Sequence, residues 1–207
     1  MKLESRSFAD GARIPPAFAM GVPGDAGPVP GPNKSPHFAW RDAPPGARSF
    51  ALLCHDRDVP SKADDVNKTD RKVPYDLPRV DFYHWVLVDI PAARHELPEA
   101  VDSNGITAKG KPVGATDHGR RGANSYGDWF GSDPAMGGTY GGYDGPWPPF
   151  NDERLHHYVF TLYALDVASL DLPATFTGPD ALAAMKGHVL ASATWTGTYA
   201  LAKDARD

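Results

Sequence analysis

Titratable side chains stand next to rigid or apolar neighbours in a few short segments of this 207-residue chain. Asp56 and Asp58 follow one apolar run, His84 lies inside a second, and His156 and His157 open a third. Apolar runs of this length are typical of buried strands. Carboxylates and imidazoles at the ends of strands suggest a small walled pocket for a polar ligand.

The two aspartates are two residues apart, a spacing that on extended backbone places both side chains on one face. Such a pair suits a cation, a sugar, or hydrogen bonds that tie down a loop. Because Asp58 precedes Val59 and Pro60, ordinary turn chemistry explains the pair equally well. The local sequence leaves these readings open.

The histidines also allow a structural and a functional reading. His84 is a lone histidine in an apolar strand, where a satisfied structural role competes with ligand binding. His156 and His157 are adjacent, so on a strand they point to opposite faces and only one can reach a given pocket. The other is expected to face solvent.

The segment Gly-Pro-Trp-Pro-Pro at residues 145–149 is stiff and lacks several backbone donors. It could be a polyproline ligand for the aromatic groove of another protein. It could also form the wall of a pocket. Its position shortly before the histidine-bearing strand favours the wall.

Several classes of function lack their sequence signals. The chain has neither a Gly-x-Ser-x-Gly elbow nor a Walker loop. Asp56, Asp58, His84 and His156 could form a mixed metal site, but none of the usual metal-ligand spacings occurs, so we predict neither a metal nor a cofactor. The net charge of −5 and the absence of a basic block argue against nucleic-acid binding.

The sequence also predicts where the protein resides. The first residues lack the apolar stretch of a signal peptide, and no run is long enough to span a membrane. The single cysteine, Cys54, lies in an apolar run and excludes an intrachain disulfide framework. We therefore predict a cytoplasmic protein without an integral membrane segment.

Short strands, frequent turn signals and one short late helix predict a mainly β sandwich formed by a single domain, residues 1–207. The predicted helix spans residues 179–186, with Asp180 as its cap and Lys186 in its last turn. The predicted strands are residues 49–53, 82–90, 157–165 and 194–201. The predicted irregular segments are the Pro- and Gly-rich residues 1–32 and two surface-loop insertions, residues 61–80 and 128–142.

Four of these segments together resemble one protein family. Asp-x-Asp-x-Pro, His-Trp-Val-Leu-Val, Gly-Pro-x-Pro-Pro and His-x-Tyr-x-Phe-Thr-Leu-Tyr-Ala-Leu-Asp occur in this order along the chain. The chain resembles the phosphatidylethanolamine-binding protein (PEBP) family, and most of all its bacterial Raf kinase inhibitor-like branch. The resemblance covers about residues 30–201.

The resemblance implies a Greek-key β-sandwich with one or two short peripheral helices, and a pocket for phosphate-bearing groups and other small anions. It also implies that two histidines donate hydrogen bonds to the anion, while the acidic pair orients them or receives the ammonium group of a ligand. The residues that it assigns to the pocket are Asp56, Asp58, Pro60, His84, Gly145, Pro148, His156 and Tyr158.

Three functions remain open at this stage. The first is a non-catalytic binding protein for a phosphate or phosphoethanolamine-like ligand, which could regulate a kinase or a protease. The second is a hydrolase or lyase that uses His84 and His156 as acid and base, with Asp56 orienting one of them. The third is a scaffold that acts through its Pro-rich loops. A homodimer is an open alternative for the assembly. Arg57, His157 and the two insertions depart from the family pattern.

Overall fold

The computed structural model describes residues 1–207, which form antiparallel β-sheets with two short α-helices, α1 (Tyr126–Phe130) and α2 (Gly178–Met185). The prediction of a mainly β fold is confirmed. The strands are β1 (Lys2–Glu4), β2 (Gly21–Val22), β3 (Val29–Pro30), β4 (Phe38–Arg41), β5 (Ser49–Pro60), β6 (Arg79–Pro91), β7 (Glu96–Leu97), β8 (Gly114–Thr116), β9 (Gly119–Arg121), β10 (His156–Leu165) and β11 (Val189–Tyr199).

The largest sheet has six strands in the order β11-β10-β5-β6-β9-β8, so the two longest strands, β5 and β6, lie side by side near its centre. A three-stranded sheet, β1-β4-β7, supplies the second layer. Strands β2 and β3 form a small hairpin within the Pro- and Gly-rich N-terminal segment, which also contains a 3-10 turn at Pro16–Phe18.

The core is divided between the two faces of the six-stranded sheet because successive residues of a strand point in opposite directions. In β5, Phe50, Leu52 and Cys54 pack towards the three-stranded sheet, with Phe38 and Trp40 of β4. The alternate residues Ala51 and Leu53 pack towards α2 on the other face. The buried position of Cys54 agrees with its apolar sequence context.

Three β-bulges interrupt the pairing of β5 with β6, and the first lies between Phe50 and Leu52. Cys54 pairs with Trp85 and His55 with Tyr83, so His84 is an extra residue in β6. Asp56 then pairs with Phe82, and Val59 with Val80, so here the extra residue lies in β5. This third bulge reverses the register shift that the second one introduced. Bulges bend a strand and redirect side chains, and the last two lie where the pocket forms.

The α2 helix begins one residue earlier than predicted, and its cap is not Asp180. Thr177 is the N-cap residue, and Asp180 reaches back from the third helical position to accept hydrogen bonds from the Thr177 backbone N–H at 2.9 Å and hydroxyl at 2.7 Å. This is a capping box. Lys186 is the C-cap residue, and Gly187 follows with a φ of 88°, a conformation suited to glycine.

The two insertions are only partly surface loops. Residues 61–78 are irregular and mostly exposed, whereas Arg79 and Val80 belong to β6. In the second insertion, residues 128–130 are the end of α1, and Tyr140 is fully buried. The strands extend further than predicted, because β5 continues through the polar residues up to Pro60 and β11 begins at Val189.

Replacing Thr177 with alanine should lower the free energy of unfolding by about 1 kcal/mol, since the first turn of α2 loses its reciprocal cap. Urea denaturation at constant pH measures the change. Thr175→Ala is the matched control, because Thr175 is exposed and lies just before the helix. Equal effects of the two substitutions would contradict the role of Thr177.

Candidate functional site

A cavity of about 220 Å³ lies at one end of the sandwich, against the outer parts of β5, β6 and β10. Its polar floor consists of Asp56, His84, His156 and Tyr158. These side chains share the sheet face that carries the larger core cluster, since Tyr158 belongs to both. The walls are mostly apolar and come from the end of β5, the first insertion, α1 and the Pro-rich segment.

The structure brings six of the eight predicted site residues to this cavity. Asp58 and Gly145 are not among the residues that line it. The six are Asp56, Pro60, His84, Pro148, His156 and Tyr158. Their role in ligand binding stays a prediction, whereas their common location is a property of the fold.

Asp58 points away from the cavity because β5 bulges after Asp56. The backbone N–H of Asp58 donates to Asp56 Oδ1 at 2.8 Å. The Asp58 carboxylate then accepts hydrogen bonds from the backbone N–H of His157 at 3.0 Å and from its Nδ1 at 2.9 Å. The simple alternation that placed both aspartates on one face is therefore wrong, and Asp58 ties β5 to β10 instead.

Gly145 has a packing role next to the pocket. A Cβ atom at this position would lie 2.0 Å from the backbone oxygen of Phe18. Its carbonyl accepts a hydrogen bond from the Tyr126 hydroxyl at 2.8 Å. The neighbouring Pro146 carbonyl accepts the backbone N–H groups of Met20 and Gly21 at 3.0 and 2.9 Å. The Pro-rich segment is thus held against the N-terminal segment.

His156 is clamped between two carboxylates. Its Nδ1–H donates to Asp56 at 2.6 Å and its Nε2–H donates to Asp152 at 3.1 Å, and all three side chains are buried. Burial alone would lower the pKa of His156, but the two carboxylates outweigh it and raise this pKa to about 9. His156 is therefore a buried imidazolium at neutral pH, and both of its donors are used within the protein.

The same interaction keeps the carboxylates ionised. Burial would raise the pKa of Asp56, but His156 outweighs it, and the net shift of this pKa is downward. Asp152 behaves in the same way, with His156 and Arg79 lowering its pKa. Arg79 binds Asp152 through two nitrogens, at 2.6 and 3.0 Å, so the floor rests on alternating charges.

His84 is the opposite of His156 in its electrostatics. Burial lowers the pKa of His84 to about 4, although the nearby Asp56 acts against this shift. The ring is therefore neutral at pH 7, and its Nδ1–H donates to the backbone carbonyl of Asp144 at 2.7 Å. This tautomer makes Nε2 a hydrogen-bond acceptor.

Asp144 holds that carbonyl in place. Its fully buried carboxylate accepts hydrogen bonds from Asn33 at 2.8 Å, Lys111 at 2.7 Å and Asn124 at 2.9 Å. Burial raises the pKa of Asp144 in spite of Lys111. The backbone N–H of Asp144 also donates to the carbonyl of His84, so the tautomer of His84 is set by a rigid neighbour.

Tyr158 carries the one floor hydroxyl. Its O–H is buried and makes no well-formed hydrogen bond within the protein, although the Asp56 carboxylate lies close enough to act on it as an acceptor. Burial, followed by the Asp56 charge, raises the pKa of Tyr158 well above its usual value, so the group is a donor at every physiological pH. The rings of Tyr158 and His84 meet edge to face, with centroids 5.0 Å apart.

The expected pair of imidazole donors is therefore not what the floor offers. His156 has no remaining donor, and His84 is an acceptor. The donor at the floor is Tyr158. The carboxylates are committed to His156, and the fold contains no group of three or more His, Cys, Asp or Glu side chains arranged to hold a metal ion.

Sequence reasoning missed three residues that shape the site. Asp152 and Arg79 complete the charge alternation, and Asp144 fixes the tautomer of His84. Asp152 lies four residues before His156, but Asp152 and Arg79 both have other charged residues nearby in the sequence, so nothing local distinguishes them. Only Asp144 could have been linked to the site from the local sequence, because it directly precedes the Pro-rich segment.

Comparison with known proteins adds independent information. A family model described as phosphatidylethanolamine-binding protein matches residues 4–200. A UPF0098 protein of Methanothermobacter thermautotrophicus is 32% identical, covering 96% of this chain and 98% of its own. The UPF0098 protein YbhB of Escherichia coli is 31% identical, covering 96% and 99%. The crystal structure of Escherichia coli YbcL, described as a member of the mammalian PEBP family, aligns with a TM-score of 0.67 at 22% identity over 96% of this chain and 97% of its own, which supports the fold.

The predicted location has mixed support. Neither helix has the length and apolar character needed to cross a bilayer. A Mycobacterium tuberculosis relative, 30% identical over 96% of this chain and 72% of its own, carries the lipoprotein name LppC. A cytoplasmic location therefore stays a prediction.

The ion pairs of His156 should make the stability of the protein depend on alkaline pH. The pKa of His156 is about 9 in the folded protein and 6.5 for a histidine in the unfolded chain. The stabilisation that the ion pairs provide is therefore complete below pH 6.5 and disappears as pH rises through 9. We expect the free energy of unfolding to fall by roughly 3 kcal/mol over this range. Urea titrations across these pH values measure it.

His188→Gln is the control for this experiment. His188 also pairs with an aspartate, Asp166, at 2.9 Å, but its side chain is 43% exposed. The variant should retain the full alkaline loss of stability. A flat pH profile in the unmodified protein would contradict the charge assignment of His156.

Proposed function

The chain belongs to the phosphatidylethanolamine-binding protein family, and on this premise we propose that it is a binding protein whose pocket takes a small, singly protonated anion. The ligand group that fits best is a phosphoryl group with one P–OH, as in phosphate or phosphoethanolamine. Family membership supports a binding protein in general. The chemistry of the floor supports this particular kind of ligand.

One observation carries the proposal: an unpartnered donor and an acceptor stand side by side in the cavity. The Tyr158 hydroxyl, whose oxygen is covered in the unliganded protein, can donate to a phosphoryl oxygen after a small side-chain shift, and the neutral His84 ring can accept the P–OH proton. A buried polar group without a partner costs free energy, so a ligand that satisfies it gains affinity. A singly protonated phosphoryl group supplies both an acceptor and a donor.

The charges below the floor do not oppose an anion. Asp56 and Asp152 are balanced by His156 and Arg79, so this group of four has no net charge. Asp58 binds His157 and does not line the cavity, so Asp56 and Asp58 do not act together on a ligand. They therefore neither repel an anion as a pair nor form a joint site for an ammonium group. Asp56 instead keeps His156 charged and fixed.

Acid–base catalysis by the two histidines has less support. His156 has no lone pair available, since both ring nitrogens carry protons that are bound to carboxylates. With a pKa of about 4, His84 is a weak base at neutral pH. The pair therefore lacks an acid and a base poised near neutrality, and binding without turnover is the better reading.

The scaffold alternative is also weaker. The segment at residues 145–149 is engaged as a pocket wall, and Pro146 is bound to the N-terminal segment. A polyproline ligand would have to present this face to a partner. Regulation of a kinase or a protease, and a homodimeric assembly, stay predictions drawn from the family.

Replacing Tyr158 with phenylalanine should weaken the binding of phosphoethanolamine by about tenfold or more, because one hydrogen bond to a charged group is lost. Isothermal titration calorimetry measures the affinity. Tyr163→Phe is the matched control, because Tyr163 stands on the opposite face of the same strand. Unchanged affinity in Tyr158→Phe would remove the donor from the proposed site.

Binding should also take up a proton at alkaline pH. Phosphomonoesters lose their second proton at a pKa of about 6, so near pH 8 the bound P–OH, or a proton on His84, must come from solvent. We expect uptake of about one proton per ligand at pH 8 and almost none at pH 5. Calorimetry in two buffers with different heats of ionisation measures the uptake, and its absence would contradict the acceptor role of His84.

A further inference from the structure

The cavity is larger than the group that its floor would hold. Its volume of about 220 Å³ corresponds to roughly seven water molecules at about 30 Å³ each. A phosphate group has only five heavy atoms. The remaining space lies between walls that carry no charged side chain. A ligand that uses the whole cavity therefore has an uncharged part attached to its anionic group.

One wall of this space is aromatic and comes from α1 and β6. Tyr126 and Phe130 are stacked with centroids 5.6 Å apart, and Phe82 meets Tyr126 edge to face at 5.1 Å. Trp129 also lines the cavity and is 49% exposed, and Trp147 contributes a further ring from the Pro-rich segment. Flat rigid rings form well-oriented contacts with another ring.

A second wall of the cavity comes from the first insertion, and its backbone is held in place. Ala63, Val66 and Asn67 line the cavity, and the backbone of their loop is bound to the side chain of Asn151. Asn151 Nδ2 donates to the carbonyls of Asp65, Lys68 and Arg71 at 2.8 to 3.0 Å. The Asn151 Oδ1 atom accepts the backbone N–H of Asn67 at 3.0 Å. The wall is thus part of a defined cavity.

We propose that the ligand is a soluble phosphomonoester of a small flat ring, with the phosphoryl group at Tyr158 and His84 and the ring between the walls of α1 and the first insertion; this rests on the function proposed above. Trp129 and Val66 then determine which ester binds. They select for the group attached to the phosphoryl oxygen, and they do not contact the phosphoryl group itself. The same headgroup chemistry on a lipid would leave the ring space without its matching partner.

The test compares inorganic phosphate, butyl phosphate, phenyl phosphate and vesicles that contain phosphatidylethanolamine. Phenyl phosphate should bind about tenfold more tightly than inorganic phosphate, and also more tightly than butyl phosphate. In Trp129→Ser and Val66→Ser the ratio of the phenyl phosphate affinity to the phosphate affinity should fall towards one. Leu182→Ser is the matched control, because Leu182 is an exposed apolar residue on α2 and does not line the cavity.

The outcomes separate this inference from the function on which it rests. If no phosphoryl compound binds, the proposed function itself fails. If phosphate binds but the phenyl ester is no tighter than the butyl ester, the ring assignment is wrong while the anion site stands. Binding to vesicles that persists in Trp129→Ser would overturn the choice of a soluble ester. A changed ratio in Leu182→Ser would show that the effect is not specific to the cavity walls.

Discussion

The buried charge sequence Asp56, His156, Asp152 and Arg79 is the interaction on which the rest of this site depends. It joins β5, β10, the segment before β10 and the start of β6 through contacts of 2.6 to 3.1 Å. Each charge is buried against at least one opposite charge, which compensates for its loss of hydration. Loss of one member would leave an uncompensated charge beneath the pocket floor. The arrangement therefore supports the floor of the pocket, and under the proposed function the ligand contacts fall to the neutral groups above it.

Those groups differ from the charged foundation by being neutral. His84 has been moved out of the pairing pattern by a bulge, and the carbonyl of Asp144 fixes its tautomer. Tyr158 lies beside it with an unpartnered hydroxyl. Two histidines of the same pocket thus have pKa values of about 4 and about 9, set by opposite surroundings. The separation gives one ring a structural role and leaves the other with an acceptor nitrogen, to which the proposed function assigns the ligand proton.

Much of the fold could be predicted from the sequence, because the alternation of apolar residues in strands and the Gly and Pro residues at turns are local signals. The same holds for the cluster of motifs that form the cavity. The failures come from contacts between distant residues. The bulge after Asp56 interrupts the alternation that would have placed Asp56 and Asp58 on the same face of the strand. The protonation states of His84 and His156 depend on Asp144 and Asp152, which reach them through the tertiary structure.

The paired bulges of β5 and β6 have a consequence for how such chains can change over time. The second and third bulges each add one residue to one strand, and together they return Val59 and Val80 to the register of Cys54 and Trp85. Deleting one extra residue alone would shift one strand against the other and turn the outer side chains to the wrong face. Removing one residue from each strand would preserve the pairing. We therefore expect insertions and deletions in these two strands to be tolerated only as coupled events, so that the lengths of the two strands vary together among related genes.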